Sequence, residues 1–150
     1  MLENWIYILL VTLVPGIELR GSLPIAVLLG ENLELAFLIT TAVNILLVPL
    51  LLRVFDFAWE KLGRINRLQN LMDLYVHRVK NKSYHLVQKY GAVGLMLFVA
   101  VPLPGTGAYT GCLAAWLLGV RKKDALMSIS AGVLIAGSIV YLALKGVLLF

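Results

Sequence analysis

Proline and glycine stand in the middle of two of the four long apolar stretches of this chain, and that placement limits its folding more than any other feature. The stretches run about Trp5 to Leu29, Leu33 to Phe57, Ala92 to Leu118 and Ala125 to Phe150. By length alone each could cross about 30 Å of hydrocarbon as a helix. The second and fourth read as continuous helices, with Pro49 inside the second. The first is broken at Val14-Pro15-Gly16 and the third at Pro102-Leu103-Pro104-Gly105-Thr106-Gly107. A helix running straight through either break would lose backbone hydrogen bonds where no water replaces them. The chain is 61% hydrophobic and 14% charged with a mean hydropathy of +0.91, too apolar for one soluble core of this size. A single integral membrane domain over residues 1–150 is the expectation.

Charge then chooses between four plain spans and another layout. Seven of the thirteen basic residues lie between Lys61 and Lys89, and Arg121, Lys122 and Lys123 form a second basic turn. Four crossings would put these two segments in opposite compartments, against the positive-inside rule. Both are cytoplasmic if the third stretch enters, turns at its break and leaves on the same side as a re-entrant hairpin. The first stretch is flanked by Glu3, Glu31 and Glu34, with no basic residue at either end, and a hairpin dipping in from outside fits it. Leu33 to Phe57 then runs inward and Ala125 to Phe150 outward, with Lys145 snorkelling to the outer interface. Residues 58–90 and 119–124 are expected on the cytoplasmic side of the plasma membrane. The N-terminus lacks a basic region before its apolar run, so the first segment is expected to stay in the mature protein.

The two broken segments also match each other. Pro15-Gly16 is followed by Gly30 and Pro104-Gly105 by Gly119, each proline 15 residues before its closing glycine, and both units end in Leu-Leu-Gly. Each unit is a hairpin followed by a spanning helix. The expected fold is therefore all-α, with inverted repeats over 1–57 and 91–150 and a cytoplasmic amphipathic region over 58–90, and such repeats mark transporters. In the central region Leu68, Leu71, Met72, Tyr75 and Val79 share a helix face, while Arg67, Asp73, Arg78, Lys80 and Lys82 lie largely elsewhere, as in a basic helix on anionic lipid. Nucleic acid is not expected as a partner. In the last helix Ser128, Gly132 and Ala136 recur every fourth residue, a stripe suited to close packing.

Chemistry is expected where the hairpin tips meet near the bilayer middle. Pro15, Gly16, Gly21, Pro102 and Pro104 shape those tips. Glu18 and Arg20, the deepest charged pair, are functional candidates because charge inside a membrane is expensive; the alternative is that they neutralise each other and hold the tip. Second half-helices starting near Glu18 and Tyr109 would point two positive dipole ends at one place, stabilising an anion. Gly105, Thr106 and Gly107 offer open N–H groups and a hydroxyl, and Arg20 offers a fork for phosphate or carboxylate. Glu18, between apolar segments, is a candidate for exchanging protons. Tyr109, Thr110 and Asn44 could add hydrogen bonds, with helix packing the stronger reading for Asn44. His77 and His85 fall in the polar region and Cys112 is the only cysteine, so neither a metal site nor a disulfide is expected. No nucleotide-binding or catalytic motif is present, so neither an enzyme nor a cofactor is expected.

The runs Pro15-Gly16-Ile17-Glu18-Leu19-Arg20-Gly21-Ser22-Leu23-Pro24 and Pro102-Leu103-Pro104-Gly105-Thr106-Gly107-Ala108-Tyr109-Thr110-Gly111 resemble the signature stretches of the small multidrug export proteins, a likeness covering nearly the whole chain. That family in turn resembles the DedA or VTT (SNARE-associated) superfamily, whose Pro-Gly-Glu turn and Lys-Tyr-Gly lead are matched by Pro15-Gly16 with Glu18 one residue later and by Lys89-Tyr90-Gly91. The superfamily's arginines on both sides of the second Pro-Gly are replaced here by Val101 and Gly107. The wider resemblance implies opposed re-entrant hairpins and movement of lipids or polyprenyl phosphates between leaflets, and the family name implies export of cationic compounds. Three readings follow: a flippase for phosphate-bearing lipid, a proton-coupled exporter of small cations, and a scaffold that transports nothing. With only two full spans, a homodimer is expected.

Overall fold

The computed structural model describes residues 2–62, 77, 79, 81, 83–103 and 105–149, as main chain only at 58–62, and every regular element among them is helical. In chain order these are α1 (Leu2–Thr12), α2 (Glu18–Leu28), α3 (Leu33–Leu62), α4 (83–90), α5 (Ala92–Ala100), α6 (Ala108–Leu117) and α7 (Lys122–Leu148). The expected basic amphipathic helix lies outside the described residues at Leu68, Leu71, Met72, Tyr75, Arg67, Asp73, Arg78, Lys80 and Lys82, as does Pro104.

Both expected breaks fall where the sequence puts proline and glycine. Gly16 and Gly105 turn the chain with φ of +88° and +79°, a region a residue without Cβ enters freely. The second half-helices then end alike. Gly30 and Gly119 adopt φ of +74° and +66°. Beyond them Glu31 N–H returns to Ala26 O and Val120 N–H to Ala115 O, each at five residues' separation, the glycine-closed ending that satisfies last-turn carbonyls. Asn32 then caps α3, its Oδ1 accepting from Leu35 N–H at 2.9 Å.

The residues Leu33–Phe57 of α3 and the whole of α7 are long and apolar enough to cross a bilayer, and they run antiparallel. At one end Lys145 lies 3.8 Å from Glu34 and its ammonium donates to the Tyr141 hydroxyl. This settles the partners of the lysine expected to snorkel. At the other end Lys122 bonds to Asp56. Between them Gly137 lets Phe37 and Thr41 approach α7. The Ser128, Gly132 and Ala136 stripe is buried. A Cβ at Gly132 would stand 2.7 Å from Val99 Cβ and 2.8 Å from Met96 O, so this glycine admits α5.

The first broken segment doubles back, since Asn4 at the start of α1 donates to the Glu31 carboxylate beyond α2 at 2.9 Å. Around an apolar core, the bundle also exposes large apolar side chains and buries polar ones. Leu38, Leu46, Met127, Leu142 and Val147 are 65–74% exposed, while Glu18, Ser22, Thr40, Thr41, Asn44, Thr106 and Thr110 are buried. Such a surface suits hydrocarbon rather than water.

Candidate functional site

α2 opens at Glu18 and α6 at Ala108, and these two helix starts meet. The Glu18 carboxylate accepts from Ala108 N–H at 2.9 Å and from Tyr109 N–H at 3.3 Å. It therefore occupies the position at the first turn of α6 where unpaired N–H groups and the helix dipole hold an anion. Glu18 is 3% exposed. Its approach needs Gly107, because a Cβ there would fall inside the carboxylate, colliding with Oε1, Oε2 and Cδ. Glu18 is also the only non-glycine residue with positive φ among the described residues, at +53°. A side chain in that region carries of order 1 kcal/mol of strain, and such strain concentrates at functional positions.

Arg20 reaches the opposite polarity. Nη1 donates to Leu103 O at 2.5 Å and to Thr106 Oγ1 at 2.8 Å, while Nη2 donates to Val99 O at 2.8 Å and Thr106 O at 3.3 Å. Val99 lies in the last turn of α5, where carbonyls lack helical partners, so the guanidinium finishes one half-helix as Glu18 starts the next. The Thr106 hydroxyl stands 2.7 Å from Val101 O and 2.9 Å from Leu103 O. Thus Glu18 and Arg20 form no salt bridge with each other among the described residues; each bonds across to the second break. A third tie runs the other way, with the Tyr109 hydroxyl donating to Leu13 O just past α1 at 2.6 Å.

The structure thus brings together Glu18, Arg20, Thr106, Gly107 and Tyr109, with Pro15, Gly16, Pro102 and Gly105 in the connecting turns. Gly21 lies inside α2 rather than in its turn, where a Cβ would strike the Ile17 side chain. Thr110 turns its hydroxyl to Gly107 O at 3.1 Å. Asn44 stays within its own helix, Nδ2 donating to Thr40 O at 3.3 Å. The carbonyls of Leu13, Val99 and Leu103 belong to the arrangement and escaped the sequence reading, because no side-chain chemistry marks a carbonyl that a turn leaves unpaired. Ser22 and Thr41 also escaped it. Thr12 and Thr40 return their hydroxyls to carbonyls one turn back, whereas the buried oxygens Ser22 Oγ, Thr41 Oγ1 and Asn44 Oδ1 have no partner among the described residues.

Beside the second break opens a cleft of about 310 Å³ lined by Leu86, Phe98, Val101, Leu103 and Thr106. Its walls are apolar except at Thr106, which holds Arg20. The site thus combines a buried carboxylate, a guanidinium and an apolar wall. Among the described residues no group of three His, Cys, Asp or Glu side chains could hold a metal.

No curated protein and no solved structure matches the chain. The family model described as "Putative small multi-drug export protein" matches residues 18–139, a span that starts at Glu18 and contains both Arg20 and the second break.

Proposed function

Because the chain belongs to the small multi-drug export protein family, which is one of membrane exporters and not of enzymes, we propose that it transports by opening and closing the Glu18–Arg20 junction. In this reading α1–α2 and α5–α6 are re-entrant hairpins entering from opposite faces, α3 and α7 are the two crossings, and the units are inverted repeats in the plasma membrane. The shared glycine endings and the return of the first segment from Asn4 to Glu31 support it. The basic turn Arg121-Lys122-Lys123 supports a cytoplasmic side for residues 119–124.

One observation carries the assignment of substrate class: an anion seat at the α6 N-terminus is filled by the chain's own carboxylate. Protonation of a Glu18 oxygen removes the charge that holds the acid to Ala108 and Tyr109 N–H. Those donors, with Gly107 clear of any side chain and Arg20 released from its carbonyls, then suit a phosphate. The cleft at Leu86, Phe98, Val101 and Leu103 suits the attached hydrocarbon. The substrate is accordingly a phosphate-bearing amphiphile, a phospholipid or a polyprenyl phosphate, moved between leaflets with a proton carried on Glu18. Purified protein in vesicles should translocate headgroup-labelled lipid, and Glu18→Gln should uncouple the rate from pH. Vesicles that move neither lipid class would refute the assignment.

A second reading has one observation in its favour. Arg20 spends its terminal nitrogens on carbonyls and makes no salt bridge to Glu18, which leaves the carboxylate open to competition between a proton and a small organic cation, as the family description would have it. Release of protons on adding such a cation to detergent-solubilised protein would select this reading. Full activity in Glu18→Ala/Arg20→Ala would leave only a scaffold.

A further inference from the structure

Away from the two breaks, where α3 ends and α7 begins, a second cleft of about 270 Å³ lies between the long helices, lined by Pro49, Leu52, Arg53, Lys122, Lys123 and Leu126. It is divided by chemistry. Pro49, Leu52 and Leu126 form an apolar floor that continues onto the lipid-suited faces of both helices, where Leu46, Leu50 and Met127 are 56–73% exposed. Three cations form the rim. Lys122 is answered by Asp56, and the neighbouring Arg121 by Asp124. Arg53 and Lys123 are exposed and have no ion pair among the described residues, so two positive charges stand uncompensated at the edge of an apolar groove.

We infer that this cleft binds an anionic phospholipid, its phosphate on Arg53 and Lys123 and the first part of an acyl chain along Pro49, Leu52 and Leu126. Charge and polarity together select the occupant. A soluble anion would leave the apolar floor uncovered, and a neutral chain would leave both cations unanswered. A zwitterionic headgroup brings a cation of its own to a rim already positive. Basic pockets between spanning helices recognise anionic headgroups in this way. The site lies on α3 and α7, the two helices across which any rocking of the hairpins must work, so a lipid there would splint the pair at its basic end.

The test is native mass spectrometry of the full chain in detergent with equal phosphatidylglycerol and phosphatidylcholine of identical acyl chains. Wild type should retain phosphatidylglycerol severalfold in preference, because the phosphate of phosphatidylcholine reaches the same cations while its choline adds a positive charge to the rim. Arg53→Gln/Lys123→Gln should bring the two lipids to parity, Leu126→Trp should abolish retention with the charges intact, and Lys145→Gln at the far end should change nothing. Preference that survives Arg53→Gln/Lys123→Gln would place the lipid elsewhere, on the cations between Lys61 and Lys89 for instance, and would overturn the inference. So would equal retention by wild type, or a lipid-free dimer that buries Leu126. If the double variant fails to fold, the single exposed change Lys123→Gln must still lower the preference severalfold.

Discussion

Replacing Gly107 by alanine should destabilise the protein through one contact, and a double-mutant cycle can isolate it. Gly107 has φ −82° and ψ −163°, extended backbone that alanine adopts readily. The added methyl meets the Glu18 carboxylate instead, which supplies the three nearest atoms. The carboxylate must then leave Ala108 and Tyr109 N–H, surrendering two hydrogen bonds to a charged acceptor and stranding a buried anion. Such bonds contribute about 1.5–3 kcal/mol each, and orphaning one partner of a buried charged interaction costs about 3–5 kcal/mol, so a loss of about 3–5 kcal/mol is expected. For a domain of this size that lowers the midpoint by roughly 6–20 °C. Cys112, the only cysteine and fully buried, reports unfolding through a thiol-reactive fluorogenic dye during heating. In Glu18→Ala the methyl has no carboxylate to strike, and Gly107→Ala should there change stability by less than about 0.5 kcal/mol. Equal losses in both backgrounds would refute the assignment of Glu18 as the cap of α6.

Arg20→Lys should destabilise by about 2–3 kcal/mol in the same assay, since one ammonium cannot serve Val99 O and Leu103 O as two guanidinium nitrogens do; a midpoint within 2 °C of wild type, by the roughly 2–4 °C per kcal/mol expected at this size, would contradict the fork. Gly132→Ala should abolish the α5–α7 packing, because its Cβ would press on the backbone oxygen of Met96 as well as on Val99, and size-exclusion chromatography should show little folded protein. Glu34→Ala should leave the midpoint unchanged, because its pairing with Lys145 at 3.8 Å is exposed on both sides; a clear fall in the midpoint would show a buried role.

What could be read in advance was whatever proline, glycine and charge dictate locally. The breaks, half-helix starts near Glu18 and near Tyr109, one residue past the observed start of α6 at Ala108, and the meeting of the two starts all follow from broken apolar runs. The destination of the charged side chains did not. Arg20 was expected to offer its donors to a ligand or to Glu18, and it instead reaches carbonyls some 80 residues away, because an orphan carbonyl at a helix end is invisible in a string of letters. Gly107 was read as open backbone for a ligand, whereas its emptiness is filled by Glu18. Lys145 looked misplaced until Glu34 and Tyr141 stood beside it, a pairing set only by the antiparallel arrangement of α3 and α7.

The cross-ties themselves follow the matching spacing of the two broken segments. Arg20 stands five residues after Pro15, and Tyr109 five after Pro104; each reaches across to a carbonyl at the end of the other unit's first half-helix, Val99 and Leu13. Glu18 and Gly107 both stand three residues after their prolines, and they touch one another. Two breaks of matching spacing that meet at their helix starts bring these positions together, and two carboxylates at such a buried place would repel. One position must then carry the charge and the other must be empty, as Glu18 and Gly107 are. The asymmetry leaves one carboxylate bridging the two breaks. On the transport mechanism proposed above, neutralising Glu18 would free the α6 start while the Tyr109 tie stays, so the two breaks would part on one side and remain joined on the other, as alternating access requires.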